Sequence, residues 1–185
     1  MMFRIPLFLA VVVFLALSAP ANAGEVETRA FRIPDHGSLQ LKVPASWQSV
    51  ISQPPGGLPP TIGFGSATGP SFRVMLTPFW NAQDDSAISE PAELKRQIAE
   101  IITAVRSQAV ETDIPIMKID GRSTLGYYFS ATDKAPKPGE YKYLTQGVVR
   151  LGALVITFTS LTNVGDGNIA GETLEMLASA ELIGD

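Results

Sequence analysis

The sequence lacks cysteine altogether, and its 185 residues include a single histidine, His36. A chain without cysteine cannot form a disulfide scaffold, use a thiol nucleophile or carry the lipid of a lipoprotein. One imidazole with no thiolate also leaves a zinc centre without enough ligands. We therefore expect neither a metal site nor a bound cofactor.

Charged residues of either sign are sparse. The chain has 14 Lys and Arg residues against 18 Asp and Glu residues, which gives a net charge of −4, and it has no long basic run. A mildly acidic surface without a basic patch does not attract polyanions. Nucleic acid is therefore excluded as the expected partner, and anionic lipid is disfavoured.

A hydrophobic run long enough to span a membrane is also missing. The N-terminal apolar run, residues 5–17, is shorter than the about 20 residues that a spanning helix needs, so a membrane anchor is the less favoured interpretation. Arg4 precedes this run and small residues follow it at 21–23, as in a cleavable export signal. We predict a signal peptide over residues 1–23 and one domain over residues 24–185. The domain is expected to be periplasmic or secreted, with no stable membrane insertion after cleavage.

The region that follows the predicted signal peptide contains alternating apolar and polar residues, a pattern typical of strands. Residues 31–33 and residues 39–43 both alternate, and the PDHGS segment at residues 34–38 between them favours a turn. We predict a β-hairpin with His36 at its tip, facing water. The competing interpretation makes His36 a catalytic base, but the sequence has no G-x-S-x-G nucleophile motif to accompany it.

A glycine-rich segment, GFGSATG at residues 63–69, superficially resembles a phosphate-binding loop. That chemistry needs a helix N-terminus directly after the glycines, where free backbone N–H groups point at the anion. Here Pro70 and the strand pattern of residues 72–76 follow instead. We therefore expect a hairpin loop between two strands.

Two helices are predicted. The first covers residues 90–110, where apolar residues recur at helical spacing. Ser89 is placed to cap it, and Pro91 and Glu93 fall in its first turn, where both are favourable. The second helix is predicted over residues 169–182 near the C-terminus.

Further strands are predicted over residues 114–119, 124–131, 141–149 and 153–161. The last of these is apolar on both sides, which is typical of a strand in a sheet covered on both faces. The order of elements is strands, helix, strands, helix, with short connections between strands. It predicts an α+β fold with a mostly antiparallel sheet of about 6–8 strands and helices on both faces, an α/β/α sandwich.

Two groups of side chains are candidates for a site. Carboxylates occur in the loop at residues 81–85 and at Asp166, but neither place has the spaced oxygen ligands of a calcium loop. Trp47, Phe79 and Trp80 lie at predicted strand ends, where they would line a hydrophobic groove for a peptide or small ligand. The alternative is that these three aromatic residues complete the core.

Several features together resemble a known family. The HGSL motif at residues 36–39 is followed by V-P-x-x-W at residues 43–47, then by the long helix at 90–110 and a late strand run at 146–159. In these features the chain resembles the PsbP-like α/β/α sandwich family, and within it the bacterial envelope proteins similar to DcrB. The resemblance implies a domain that binds other macromolecules, and none of the matched motifs is a catalytic constellation. The surfaces that members use differ, so the resemblance assigns no binding residue.

The expected function is that of an exported, non-enzymatic module that binds another protein or an envelope component. Two alternatives stay open. One is a carrier of a small hydrophobic ligand that uses the aromatic strand ends. The other is a metal-dependent enzyme built from the loop carboxylates.

Overall fold

The structure is a computed structural model, and it describes residues 24–55, 58–68, 71–80, 90–165 and 168–184. The predicted signal peptide, Ser89, the loop acids at 81–85 and Asp166 lie outside these residues. The described elements are, in chain order, β1 (Val26–Arg32), β2 (Ser38–Pro44), β3 (Trp47–Ser52), β4 (Thr61–Ser66), β5 (Phe72–Phe79), α1 (Pro91–Val105), β6 (Met117–Asp120), β7 (Thr124–Thr132), β8 (Tyr143–Leu151), β9 (Leu154–Thr162), α2 (Asn168–Ala178) and β10 (Glu181–Ile183).

The strands form two antiparallel sheets. A seven-stranded sheet has the order β3-β4-β5-β9-β8-β7-β6, and a three-stranded sheet has the order β1-β2-β10. The predicted α+β fold with mostly antiparallel pairing is confirmed. The seven strands of the larger sheet also agree with the predicted 6–8. The separate three-stranded sheet, in which the first hairpin pairs with the C-terminal strand, was not predicted.

The first hairpin has the predicted form. Phe31 pairs with Leu39 across β1 and β2. The turn between them uses two residues with positive φ, Asp35 at 60° and Gly37 at 79°. These residue types tolerate the left-handed region, which is why the PDHGS segment turns at this point.

Apolar side chains form two clusters that share β8 and β9 but use alternate residues of each strand. Val149 and Ile156 belong to the cluster that contains α2 and the three-stranded sheet. Val148 and Val155 belong to the cluster that contains α1. Because side chains alternate across a strand, the two-sided burial predicted for the last strand, β9, is confirmed, and β8 shares it.

The first helix is shorter than predicted. Pro91 and Glu93 lie in its first turn as expected, but α1 ends at Val105 instead of residue 110. After a short turn the chain leaves the helix and runs beside β7, where Val110 N donates to Thr132 O over 2.8 Å. Pairing with a distant strand replaces the last helical turn, although the apolar spacing continues to Ala109.

Two other boundaries differ from the prediction. The C-terminal helix ends at Ala178, and Leu182 lies in β10, where it pairs with Leu39. The sequence of residues 51–60 is rich in proline and glycine and predicts a loop, but residues 51–52 complete β3, where Ile51 pairs with Ile62. In the first case the pairing strand comes from a distant part of the chain, and in the second it is the next strand after the loop.

Candidate functional site

His36 is held in a turn and stacked on an indole. Its Nδ1 lies 2.9 Å from the carbonyl oxygen of Pro34, and its ring centroid is 4.2 Å from that of Trp80 at an interplanar angle of 34°. The side chain is half-buried, so the expectation that it simply faces water is wrong. Among the described residues, no carboxylate or hydroxyl hydrogen-bonds to the ring. The imidazole therefore has the contacts of a turn residue and lacks those of a triad base.

Replacing His36 with alanine is expected to lower the free energy of unfolding by about 1 kcal/mol, since an aromatic stack contributes about 0.5–1.5 kcal/mol. Chemical denaturation measures this change. His36→Phe is the matched control, because it keeps a ring beside Trp80 and should retain most of the stability. A loss of binding or catalytic function in His36→Ala, with the fold intact, would contradict the turn interpretation.

The three aromatic residues proposed to line a groove do not share one surface. Trp47 is 3% exposed and packs against Phe72, with ring centroids 4.7 Å apart. Trp80 packs against the same apolar cluster from its margin, and Phe79 packs against the cluster of α1. The structure therefore places Trp47 in the core and separates Phe79 from Trp80. Ligand binding by these aromatic residues stays a prediction.

The free edge of β3 differs from the other described sheet edges. β1, β6 and β10 all carry charged residues, and the edge at β6 adds an ion pair between Lys118 and Asp120. β3 has the sequence WQSVIS, with no charge, and two of its apolar side chains are exposed, Val50 by 67% and Ile51 by 51%. Natural edge strands usually carry charges that prevent pairing with another chain. β3 lacks this protection.

Next to β3, one face of β3, β4 and β5 forms an open groove of about 470 Å³. α1 packs against β7 and β8, and within the part of the chain that the structure describes no helix packs on this part of the face. Gly63 and Gly65 form the floor, and the Val50 side chain leans across Gly63. Arg73 borders the groove, is exposed, and forms no ion pair or hydrogen bond within the described chain. We call this surface, together with the free edge of β3, the β3 groove.

A second candidate is a cavity of about 140 Å³ on the face of β7, β8 and β9 near the start of α2. We call it the hydroxyl cavity, because the polar groups that line it include the side chains of Ser130, Thr132, Tyr143, Thr145, Ser160 and Thr162. Several of these hydroxyls bond to each other or to the backbone. Ser130 and Thr145 lie 2.8 Å apart, and Thr162 Oγ1 accepts from Val164 N over 3.0 Å.

Glu111 supplies the charge at the hydroxyl cavity. Its Oε2 accepts from Thr132 N over 2.9 Å, and its Oε1 accepts from Thr132 Oγ1 over 2.7 Å. Partial burial raises the pKa of Glu111, but the hydrogen bonds from Thr132 and from its own backbone outweigh this effect and lower the pKa overall. The side chain is therefore ionised at neutral pH, and it forms no ion pair with the described residues.

Sequence reasoning missed both surfaces. The uncharged run of β-forming residues at 47–52 was the available signal for an unprotected edge strand. No sequence pattern indicated Glu111. A single acidic residue stands out from the others only through its contact with Thr132, which lies 21 residues further along the chain.

The described residues contain no group of three or more His, Cys, Asp and Glu side chains placed to hold a metal ion. Among the same residues, neither helix has the length and apolar character needed to cross a bilayer.

Comparison with known proteins defines the fold. No protein-family model and no curated protein sequence matches this chain. Solved structures with a similar fold include cyanobacterial PsbP (CyanoP) from Synechocystis sp. PCC 6803, which is 11% identical over 90% of this chain and 99% of that chain, with a TM-score of 0.52. A crystal structure from Bacteroides thetaiotaomicron VPI-5482 is 13% identical and covers 80% of this chain, with a TM-score of 0.46, and this chain spans only 46% of that one.

The protein therefore has a PsbP-like fold, as the short motifs indicated. At this level of identity the likeness establishes the fold alone. The closer similarity to DcrB stays a prediction.

Proposed function

We propose that the protein is a non-enzymatic binding module that takes an extended segment of another protein at the β3 groove. The partner segment pairs with the free edge of β3 as an added strand. The observation that carries this proposal is the uncharged edge of β3, with Val50 and Ile51 exposed beside a sheet face that neither described helix covers. In strand addition, backbone hydrogen bonds supply the affinity, and alternate side chains supply the specificity.

The electrostatics of the groove favour a partner segment with an acidic residue. Arg73 lies on β5, two strands and about 10 Å from β3. Gln48 of β3 pairs with Gly65 of β4, and Gly65 pairs with Arg73, so Gly65 is the residue between the other two. No side chain on Gly65 blocks the guanidinium from reaching towards the edge. A carboxylate on the bound segment would pair with this unused cation, whose bidentate geometry suits carboxylates.

The site of action proposed for this module is outside the cytoplasm. The predicted signal peptide at residues 1–23 supports a domain that is exported and works in the periplasm or beyond. The partner on this view is another exported protein or an envelope component. Binding, not catalysis, is proposed because the described surface offers a free strand edge beside a groove, and because the imidazole of His36 has no carboxylate or hydroxyl partner among the described residues.

The test is Val50→Lys. Val50 is 67% exposed, so the substitution should change the free energy of unfolding by less than about 0.5 kcal/mol. A lysine on the edge strand hinders pairing with another chain, so capture of envelope proteins by the immobilised protein should fall by about tenfold or more. Val26→Lys is the matched control, because Val26 is 57% exposed on the edge strand β1.

Hydrogen exchange on the captured complex checks the binding mode, because strand addition should slow exchange of amides in residues 47–52. Equal capture by wild type and Val50→Lys, or unchanged exchange in β3, would contradict the proposal. Sedimentation analysis tests the alternative that β3 pairs with a second copy of this chain. A wild-type dimer that Val50→Lys converts to a monomer would show that β3 pairs with a second copy of this chain, and would overturn the assignment to a different protein.

A further inference from the structure

We propose that the hydroxyl cavity binds a small molecule that carries a primary ammonium group and a hydrogen-bond acceptor, with Glu111 as the counter-ion. This site lies on β7, β8 and β9, apart from the β3 groove, and the inference does not rest on the proposed function.

The charge of Glu111 determines the ammonium part of the ligand. The carboxylate is half-buried, and each of its oxygens accepts one hydrogen bond from Thr132. A carboxylate has about four lone-pair sites, so each oxygen can accept another hydrogen bond. Because no cation of the described chain pairs with it, a ligand that brings a positive donor to this position is favoured over a neutral one.

The hydroxyl groups determine the rest of the ligand. The phenol of Tyr143 lines the cavity beside Gly165 and makes no hydrogen bond within the described chain. Thr162 Oγ1 accepts from Val164 N, and its own hydrogen has no acceptor among the described contacts. Two O–H donors are thus available near one carboxylate, and they match an acceptor atom on the ligand, such as a hydroxyl oxygen.

The size of the cavity limits the ligand. Its volume of about 140 Å³ is close to that of an engineered 150 Å³ cavity known to hold benzene, a ligand with six non-hydrogen atoms. A short amino alcohol fits this space. The end of a lysine side chain from a partner protein has the same ammonium chemistry and is the other source to distinguish.

The experiment is a titration of the purified protein followed by amide NMR shifts, with ethanolamine and ethylene glycol as matched probes. The two probes have the same number of non-hydrogen atoms and differ in one group, ammonium against hydroxyl. We expect ethanolamine to shift the amides of Thr132 and Gly165 and to bind at least about tenfold more tightly than ethylene glycol. Equal affinity for the two probes, or no shift with ethanolamine, would overturn the proposal.

Two variants locate the binding groups. Glu111→Gln removes the charge with little change of shape and should weaken ethanolamine binding about tenfold or more. Tyr143→Phe removes only the phenol oxygen and should weaken it about threefold to tenfold, and it serves as the test if Glu111→Gln does not fold. Glu100→Gln, at an exposed position on α1, is the control and should bind as wild type does. An equal loss in Glu100→Gln would show non-specific charge attraction and sink the proposal.

A lysine peptide blocked at both ends distinguishes the two ligand sources. Shifts of the same two amides by this peptide would identify a protein side chain as the source of the ammonium group. If ethanolamine alone produces the shifts, the source is a free amine. Either result supports the ammonium site.

Discussion

Replacing Gly37 with alanine is expected to lower the free energy of unfolding by about 3 kcal/mol or more. Gly37 has φ of 79°, a conformation that costs an L-residue about 1–2 kcal/mol. A Cβ at this position would also overlap the backbone carbonyl oxygen of Ile183. Because backbone cannot rotate away as a side chain can, β10 has to move off β2, and the packing of Leu182 is lost with it.

Gly139→Ala is the matched control for this prediction. Gly139 has φ of 88°, but an added Cβ meets nothing within 4 Å. The free energy of unfolding of Gly139→Ala should therefore fall only by the cost of the left-handed conformation, about 1–2 kcal/mol. Denaturant unfolding of the two variants measures the difference. Equal losses would mean that the contact between the hairpin turn and β10 contributes nothing to stability.

Replacing Trp47 with alanine is expected to lower the free energy of unfolding by about 3–5 kcal/mol, as for other large aromatic residues removed from a core. The indole is 3% exposed, and it contacts the rings of Phe72 and Phe64 with centroids 4.7 and 6.1 Å away. Trp47 also begins β3, so the variant should loosen the edge strand and weaken partner binding as a secondary effect. Val50→Lys separates these effects, since it leaves the core unchanged.

Trp80→Ala is the control for Trp47→Ala. Trp80 is only partly buried, and its described ring contact is the stack on His36, so a loss of about 1–2 kcal/mol is expected. Thermal or denaturant unfolding compares the two variants. Normal stability in Trp47→Ala, combined with loss of a bound ligand, would instead support the hydrophobic groove that the sequence suggested for these residues.

The elements predicted correctly are those that local spacing determines. The hairpin turn needs residues that accept positive φ, and Asp35 and Gly37 occur where the turn forms. The apolar stripe of α1 and the two-sided burial of β9 also follow from periods of 3.6 and 2. Such patterns act within a few residues, so the sequence displays them directly.

The elements predicted wrongly depend on pairing partners that lie outside the segment itself. Leu182 continues the spacing of α2, yet it lies in a strand because β2 offers an edge there. Ile51 stands next to a Pro/Gly-rich loop, yet it pairs with Ile62. α1 ends before the predicted residue 110 for the same reason, since Thr132 O of β7 accepts the hydrogen bond of Val110 N.

The candidate sites were less predictable than the fold. Trp47 and Trp80 have the same side chain and both lie at predicted strand ends, and only packing distinguishes the buried core residue from the partly buried one. Glu111 and Tyr143 are 32 residues apart in sequence, and no motif connects them before β7 and β8 bring them to one cavity. The charge-free composition of β3 was visible, but its position at the sheet edge was not.

The sequence by itself determined the α+β class, the first hairpin, the buried face of α1 and the PsbP-like order of elements, because turn chemistry and hydrophobic period are local properties. Only the tertiary structure decided that the described strands divide into two sheets, that β3 is an uncharged free edge, and that Glu111 faces a cavity where no described cation pairs with it. These features arise from long-range pairing, which the free energy of the whole fold selects and which no short segment specifies.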